Sequence, residues 1–419
     1  MSETPAPRRR TAAFGFIFAT AVMNSISFGL MIPVLPNLIK QFTGGDTSAA
    51  SEWNVVFAIS WGVAQFFCGP ILGLLSDRVG RRPVLLISIA GLGADFLLMA
   101  FAPTLWWLLV GRIISGVTSA SFSTANAYIA DVIKPDERAK VFGWMGSAFS
   151  FGFLIGPAIG GAMAEVDMRL PFLVASALCA INFLYGFFIL PESLPPERRI
   201  ARFDWSRANP LGSLRFLRAH GELAGLATIS FLWQLAHTVL PAIFVLYTGY
   251  LYGWGPGIMG LAMMGTGALG IIVQTFLVGP VVSRIGERGA LLLGSFTGAL
   301  GFAIYAVAVT PWIYILAMPV FALSSFIQPG LMGLMTRRVE PTAQGQLQGA
   351  NQSLMGIAGM TGPAIFGLTF AWSVRNDAAV HMPGLAVGIA AALVAAAFLL
   401  ALRFARPAAP PVAQAAPAE

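Results

Sequence analysis

Twelve apolar stretches, each long enough for a helix to cross a bilayer, recur along this 419-residue chain. They fall at about 12–38, 50–75, 83–102, 104–127, 141–163, 170–190, 222–248, 256–281, 289–309, 311–335, 345–372 and 383–403. A crossing helix needs about 20 mostly apolar residues, and backbone polar groups in lipid must be satisfied within the segment. That pattern excludes a water-soluble globule, whose surface could not hide so much apolar side chain. Mean hydropathy of +0.77 agrees. The expected fold is therefore an all-α integral membrane protein with twelve transmembrane helices. Cys68 and Cys179 both fall inside stretches, so neither a disulfide framework nor a metal site is expected.

The net charge of +7 raises nucleic acid as a partner, but its distribution argues otherwise. With twelve spans and both termini on one side, 21 of the 25 Lys and Arg fall in segments on that side. Only Lys40, Arg169 and Arg375 fall in loops on the other. Such a bias marks the cytoplasmic side. The expected organisation is a cytoplasmic N-terminus (1–11), a six-helix bundle (12–190), a cytoplasmic linker (191–221), a second bundle (222–403) and a disordered cytoplasmic tail (404–419). The Arg-over-Lys bias and the richness in Ala and Gly point to a GC-rich bacterial genome, hence to a bacterial cytoplasmic membrane. The expected partners are the lipid bilayer and a small-molecule substrate, with no nucleic acid.

A repeat lies beneath this division. "SDRVGRR" (76–82) has an echo in "VSRIGER" (282–288), with Arg78, Gly80 and Arg82 matching Arg284, Gly286 and Arg288 at an offset of 206. Gly156-Pro157 matches Gly362-Pro363 at the same offset. Two pseudo-symmetric six-helix halves follow, an architecture suited to rocking two bundles about a central site.

Several motifs resemble those of the major facilitator superfamily: "GLLSDRVGRRP" the loop between its second and third helices, "GRIISG" (111–116) its fourth helix and "GPAIGG" (156–161) the fifth helix of its antiporters. "GLMIPVLPNL" (29–38), "AYIADVIKPDERAKVFGWMG" (127–146), "LPES" (190–193) and "GQLQG" (345–349) look more narrowly like the bacterial tetracycline-efflux branch of its drug:proton antiporters. The resemblance implies a monomeric secondary transporter that exports a drug-sized amphipathic molecule, tetracycline-like, against protons. It implies no cofactor beyond the coupling proton and, on the substrate, a divalent metal.

Four charges crowd the six positions Asp77–Arg82. Asp77 is expected to pair with Arg138 from the next inner loop, with Asp131 and Arg78 nearby, as a latch on the cytoplasmic side. Gly80 permits the turn. Arg81 and Arg82 serve either that latch or membrane orientation alone. Gly156-Pro157, with Gly160 and Gly161, is expected to bend the fifth span or to pack tightly against another helix.

Charge at bilayer depth is costly and usually functional. Asp95 and Arg112 are the charged candidates, and His237 is the one histidine expected at depth, giving three candidate proton-coupling residues. Arg112 shares a helical face with Ser115, Ser119, Ser123 and Asn126, which should look into a cavity. Gln234 and His237, Gln348 and Asn351, and the single residues Asn24, Gln65, Gln274 and Gln328 are further candidates for a polar cavity wall. Against the tetracycline exporters the chain departs in three places. Asn24 stands where they carry a first-helix acid, Gly298 where they carry a ninth-helix acid, and Gly270 near their eighth-helix histidine. Coupling then rests on Asp95, Arg112 and His237, or the substrate differs. An importer or a proton-independent facilitator of the same fold is the alternative. No nucleophile–base pair, metal-ligand spacing or nucleotide cradle stands out, so an enzyme or an ATP-driven pump is not expected.

Overall fold

The computed structural model describes residues 7–133, 135–200, 221–340 and 343–405, and for 7–14, 121, 122, 135, 136, 138–140, 221, 222 and 380 the backbone only. The first half contains α1 (Pro7–Met31), α2 (Leu35–Phe42), α3 (Thr47–Val79), α4 (Arg81–Phe101), α5 (Leu105–Val117), α6 (Ser121–Val132), α7 (Pro135–Val166) and α8 (Leu170–Ile189). The second contains α9 (Gly221–His237), α10 (Val239–Tyr252), α11 (Pro256–Ile272), α12 (Val278–Val307), α13 (Pro311–Ala322), α14 (Ile327–Thr336), α15 (Gln344–Arg375), α16 (Asp377–Val380) and α17 (Leu385–Phe404). Among the described residues there is no strand.

Local chemistry sets many of the ends. Asp46 caps α3 by accepting from the Ser48 and Ala49 amides. Prolines open α11 and α13, where a missing N–H is harmless. Gly80 (φ 116°) and Gly286 (φ 71°) make the two tight turns of the repeated motif, 206 residues apart, in conformations that a side chain would strain.

Ten described helices are long and apolar enough to cross a membrane. The difference from twelve has physical causes. Two expected spans are continuous in Pro256–Val307, a 52-residue helical run. At 1.5 Å per residue that is about 78 Å, far more than a bilayer core of about 30 Å, so the run turns back at Gly286. The expected fourth span (104–127) is broken into α5 and α6, each too short alone. Thr118 Oγ1 donates to the Ile114 carbonyl at 2.9 Å, a local bond that competes with the helix.

Each half packs chiefly on itself: α1 against α7 and α8, α4 against α5 and α8, and α12 against α14 and α17. The halves meet along two helix pairs, α7 with α11 and α3 with α15. Small residues make both seams. Gly156 lies against the Gly29 backbone of its own half, and Gly161 against the Pro256 carbonyl of the other. At the same offset of 206, Gly362 lies against Thr238 of its own half, and Gly367 against Val55 of the other. The repeat therefore extends to which face of each helix meets which neighbour. α7 runs unbroken through Pro157. The expected bend motif (Gly156, Pro157, Gly160, Gly161) is thus a two-sided packing joint here. Pro157 forfeits one helix bond, and close backbone contact on both faces supports the helix there.

The seams loosen toward the face that carries residues 76–82. A Cβ placed on Gly161, Gly260 or Gly367 would collide with the facing half. On Gly267, Gly62 and Gly356 it would meet that half only at 3.4–3.5 Å, and on Gly69, Gly73, Gly143 and Gly146 it would meet nothing within 4 Å among the described residues. The halves are closed on one side and splayed on the other. Polar contacts reinforce the closed side: Ser48 and Ser51 donate to the Ala371 and Gly367 carbonyls, and Glu52 pairs with Arg375. Gly160→Val should overpack the α1–α7 joint, with a loss of about 3 kcal/mol read by thermal unfolding in detergent, whereas Gly146→Ala should leave the transition unchanged.

Candidate functional site

A cavity of about 490 Å³ lies between the halves. α7 supplies Ser150, Phe153 and Leu154 from the first half; α9 to α13 supply Trp233, His237, Phe244, Met263, Thr266, Tyr305, Tyr314 and Phe321 from the second. The helix break at Thr238 shapes this wall. Thr238 Oγ1 bonds the Leu235 carbonyl at 2.6 Å, α9 ends, and His237 is left facing the cavity. Its ring is 5.3 Å from Trp233 and 6.4 Å from Phe321, nearly parallel to the latter at 19°. Tyr305 and Tyr314 stack at 4.1 Å and 14°. The Tyr305 hydroxyl is buried without a hydrogen-bond partner among the described residues.

The wall is mostly ring and methyl. Among the described residues no carboxylate, Lys or Arg lines it. An ion brought there from water loses several kcal/mol of hydration, and a ring face returns about 1–2 kcal/mol. The cavity therefore suits uncharged aromatic matter with a few hydrogen-bonding groups.

Of the expected cavity residues, His237 and Gln274 line this space. Asn24, Gln65, Arg112, Ser119, Asn126, Gln234, Gln328, Gln348 and Asn351 do not. Gln65 instead donates to Ser119 at 2.9 Å, tying α3 to the break between α5 and α6. Asn351 donates to the Met332 sulfur at 3.4 Å, and the Asn24 amide oxygen is buried without a partner among the described residues. Gln328 and Gln348 are exposed. The expected serine face below Arg112 is interrupted, because the helix stops after Val117 and restarts at Ser121. The aromatic wall was missed because a Trp, Tyr or Phe inside an apolar span looks like any other core residue. The four-residue spacing of Trp233 and His237 was its one legible trace.

Asp95 and Arg112, separately expected at depth, form one buried ion pair between α4 and α5. Arg112 Nε also donates to Asp95 Oδ1 at 3.3 Å. Gly111 allows the approach; a Cβ there would come within 2.6 Å of the carboxylate. Asp95 is wholly buried and Arg112 is 5% exposed, and neither reaches the cavity.

On the splayed face Arg81 is the hub. Its guanidinium pairs with Asp77 and Asp131, and donates to Ser76 Oγ at 2.7 Å. Asp77 is thus paired with Arg81, four residues along the chain; the expected pairing with Arg138 lies outside the described residues, which do not include that side chain. Arg78 is exposed, and Arg82 bonds the Phe187 carbonyl. Glu192, in the "LPES" segment, accepts from the Arg81 and Arg82 amides at 2.8 and 3.2 Å and so caps α4. All of these contacts lie within the first half and are intact while the halves are apart at this face. Their rupture is therefore not what parts the halves. The second half repeats the central pair with its charges exchanged: Glu287 and Arg337 stand at the offset of 206 from Arg81 and Asp131, and are paired. That inversion went unread in the sequence because only the identical positions of the motif draw the eye.

A family model described as Major Facilitator Superfamily matches residues 17–363. The chain belongs to the Major Facilitator Superfamily. Among curated relatives, the class C tetracycline resistance protein of Escherichia coli is 37% identical, over 86% of this chain and 90% of that one. The class H tetracycline resistance protein of Pasteurella multocida is 31% identical, over 85% and 89%. Two solved structures share the fold. The nucleoside transporter NupG superposes with a TM-score of 0.76 at 14% identity, over 94% of this chain and all of that one. The human organic anion transporter MFSD10 gives 0.67 at 22%, with the same coverage. This member of the superfamily is therefore a multi-pass membrane transporter.

In such a transporter the buried Asp95–Arg112 pair is a stability element whatever else it does. Asp95→Asn should cost about 3–5 kcal/mol, because it leaves the guanidinium buried and unpaired. Asp95→Leu with Arg112→Met should recover much of that loss; thermal unfolding of the single and double variants in detergent reads both.

Proposed function

We propose that this transporter exports a drug-sized amphipathic molecule, tetracycline-like, in exchange for protons. The observation that carries the reading is the cavity between the halves, closed on one side and approached from the splayed face. Supporting it are relatives at 31–37% identity that are tetracycline resistance proteins. In this reading twelve helices cross a bacterial cytoplasmic membrane, both termini are cytoplasmic, and the splayed face is the cytoplasmic one. The conformation is then inward-facing, ready to take substrate from the cytoplasm. The chain works as a monomer and needs no cofactor beyond the coupling proton.

Asp95, Arg112 and His237 are the proposed coupling groups. His237 is placed to feel the substrate directly, since it lies on the cavity wall. The Asp95–Arg112 pair must act through a rearrangement of α4 against α5, because it is sealed from the cavity. That seclusion favours the second reading, a facilitator that moves its substrate without protons.

Everted vesicles holding a pH-sensitive dye decide between the two. After energisation, tetracycline should release protons from vesicles carrying the wild-type chain. His237→Asn should reduce that release about tenfold or more, a loss on the scale that general acid–base groups contribute. Tetracycline flux that ignores the pH gradient would establish the facilitator.

A further inference from the structure

We infer that the cavity receives its substrate as a flat, metal-free aromatic molecule without net charge, held between ring faces and hydrogen-bonded along one edge by His237 and Tyr305. The inference rests on the reading of this cavity as the substrate site.

Three observations meet here. The first is the arrangement of rings. Trp233, His237 and Phe321 form a continuous aromatic wall, with His237 and Phe321 near parallel, and Tyr305 and Tyr314 form a stacked pair on the same cavity. Ring walls of this kind bind planar π systems by offset stacking or edge contact. The second is the unmet polar capacity. The Tyr305 residue is 1% exposed, and its hydroxyl has no partner among the described residues. A buried donor left unmade is costly, so a carbonyl or phenol-type edge reaching it gains a bond that the empty protein lacks. His237 adds an imidazole, which in its neutral form offers one donor and one acceptor. The third is charge. The polar side chains on the described wall are uncharged amide, hydroxyl and indole groups and one imidazole. A divalent ion keeps hard oxygen ligands and needs its charge met, commonly by carboxylates. A chelate carrying net positive charge would lose its hydration here with no carboxylate on the described wall to replace it. The metal-free form of the same molecule carries no net charge and so loses less hydration on entering.

The test is equilibrium dialysis of the full-length protein in lipid nanodiscs, with no gradient present. The probes are tetracycline in EDTA, tetracycline in excess MgCl₂, an uncharged hydroxyanthraquinone, and the same anthraquinone bearing an ammonium group. Tetracycline should bind roughly tenfold tighter in EDTA than in magnesium, and the uncharged anthraquinone roughly tenfold tighter than the cationic one. Tyr305→Phe should weaken the uncharged probe about fivefold while leaving the unfolding temperature unchanged. Magnesium-dependent binding, or preference for the cationic probe, overturns the inference. So does failure of every probe to bind, because the cavity would then not be a site for flat aromatics. Binding that follows the expected order while the vesicles show no proton release would refute proton exchange and leave this inference standing.

Discussion

Close approach of backbones along α7 and α15 is the constraint on which the rest of the structure depends. In lipid there is no hydrophobic drive between helices, so association falls to van der Waals contact and the absence of side-chain bulk. Gly156 and Gly161 present a bare backbone to α1 on one face and to α11 on the other. Gly362 and Gly367 repeat this for α9–α10 and α3. Each helix therefore belongs to its own half and is also the surface on which the opposite half bears. Remove that dual contact and both the closed side and the cavity beneath it lose their walls.

The tightness of the seams on one side and their absence on the other make a lever. Serine-to-carbonyl bonds and the Glu52–Arg375 pair add polar closure where the glycines already touch. They are individually weak: an exposed ion pair contributes about 0–1 kcal/mol. Weak closure is what alternation requires, since contacts that held the halves firmly would trap one state. The charged clusters at the other face do a different job. Arg81 with Asp77 and Asp131, and Glu287 with Arg337, tie helix ends within a half, so each half moves as a body.

Function concentrates where the helices are interrupted. The break at Thr238 turns His237 onto the cavity, and the break after Val117 separates Arg112 from Ser119 and Ser123. An unbroken helix would have put the charged and hydroxyl groups of α5 and α6 on one face, as their spacing promises. Instead the ion pair is sealed away and the aromatic wall of the second half lines the space. The asymmetry is chemical as well as geometric, with a buried ion pair in the first half and rings and an imidazole in the second.

Much of this was legible before any coordinates. Length and apolarity of the stretches demanded a helical membrane protein, because lipid leaves no other way to satisfy the backbone. The offset of 206 between Gly80 and Gly286, and between Gly156 and Gly362, exposed the duplication, because positive φ and backbone contact both select glycine. The depth of Asp95 and Arg112 was readable from their position within spans. Their pairing was not, nor was their distance from the cavity, since these depend on how α4 and α5 are rotated against each other. The partner of Asp77, the charge-exchanged pair in the second half and the ring wall around His237 likewise come from contacts between segments far apart in the chain. Periodicity and motif report what each helix presents. Only packing decides which presented face meets lipid, which meets a neighbour and which is left facing the empty space between the halves.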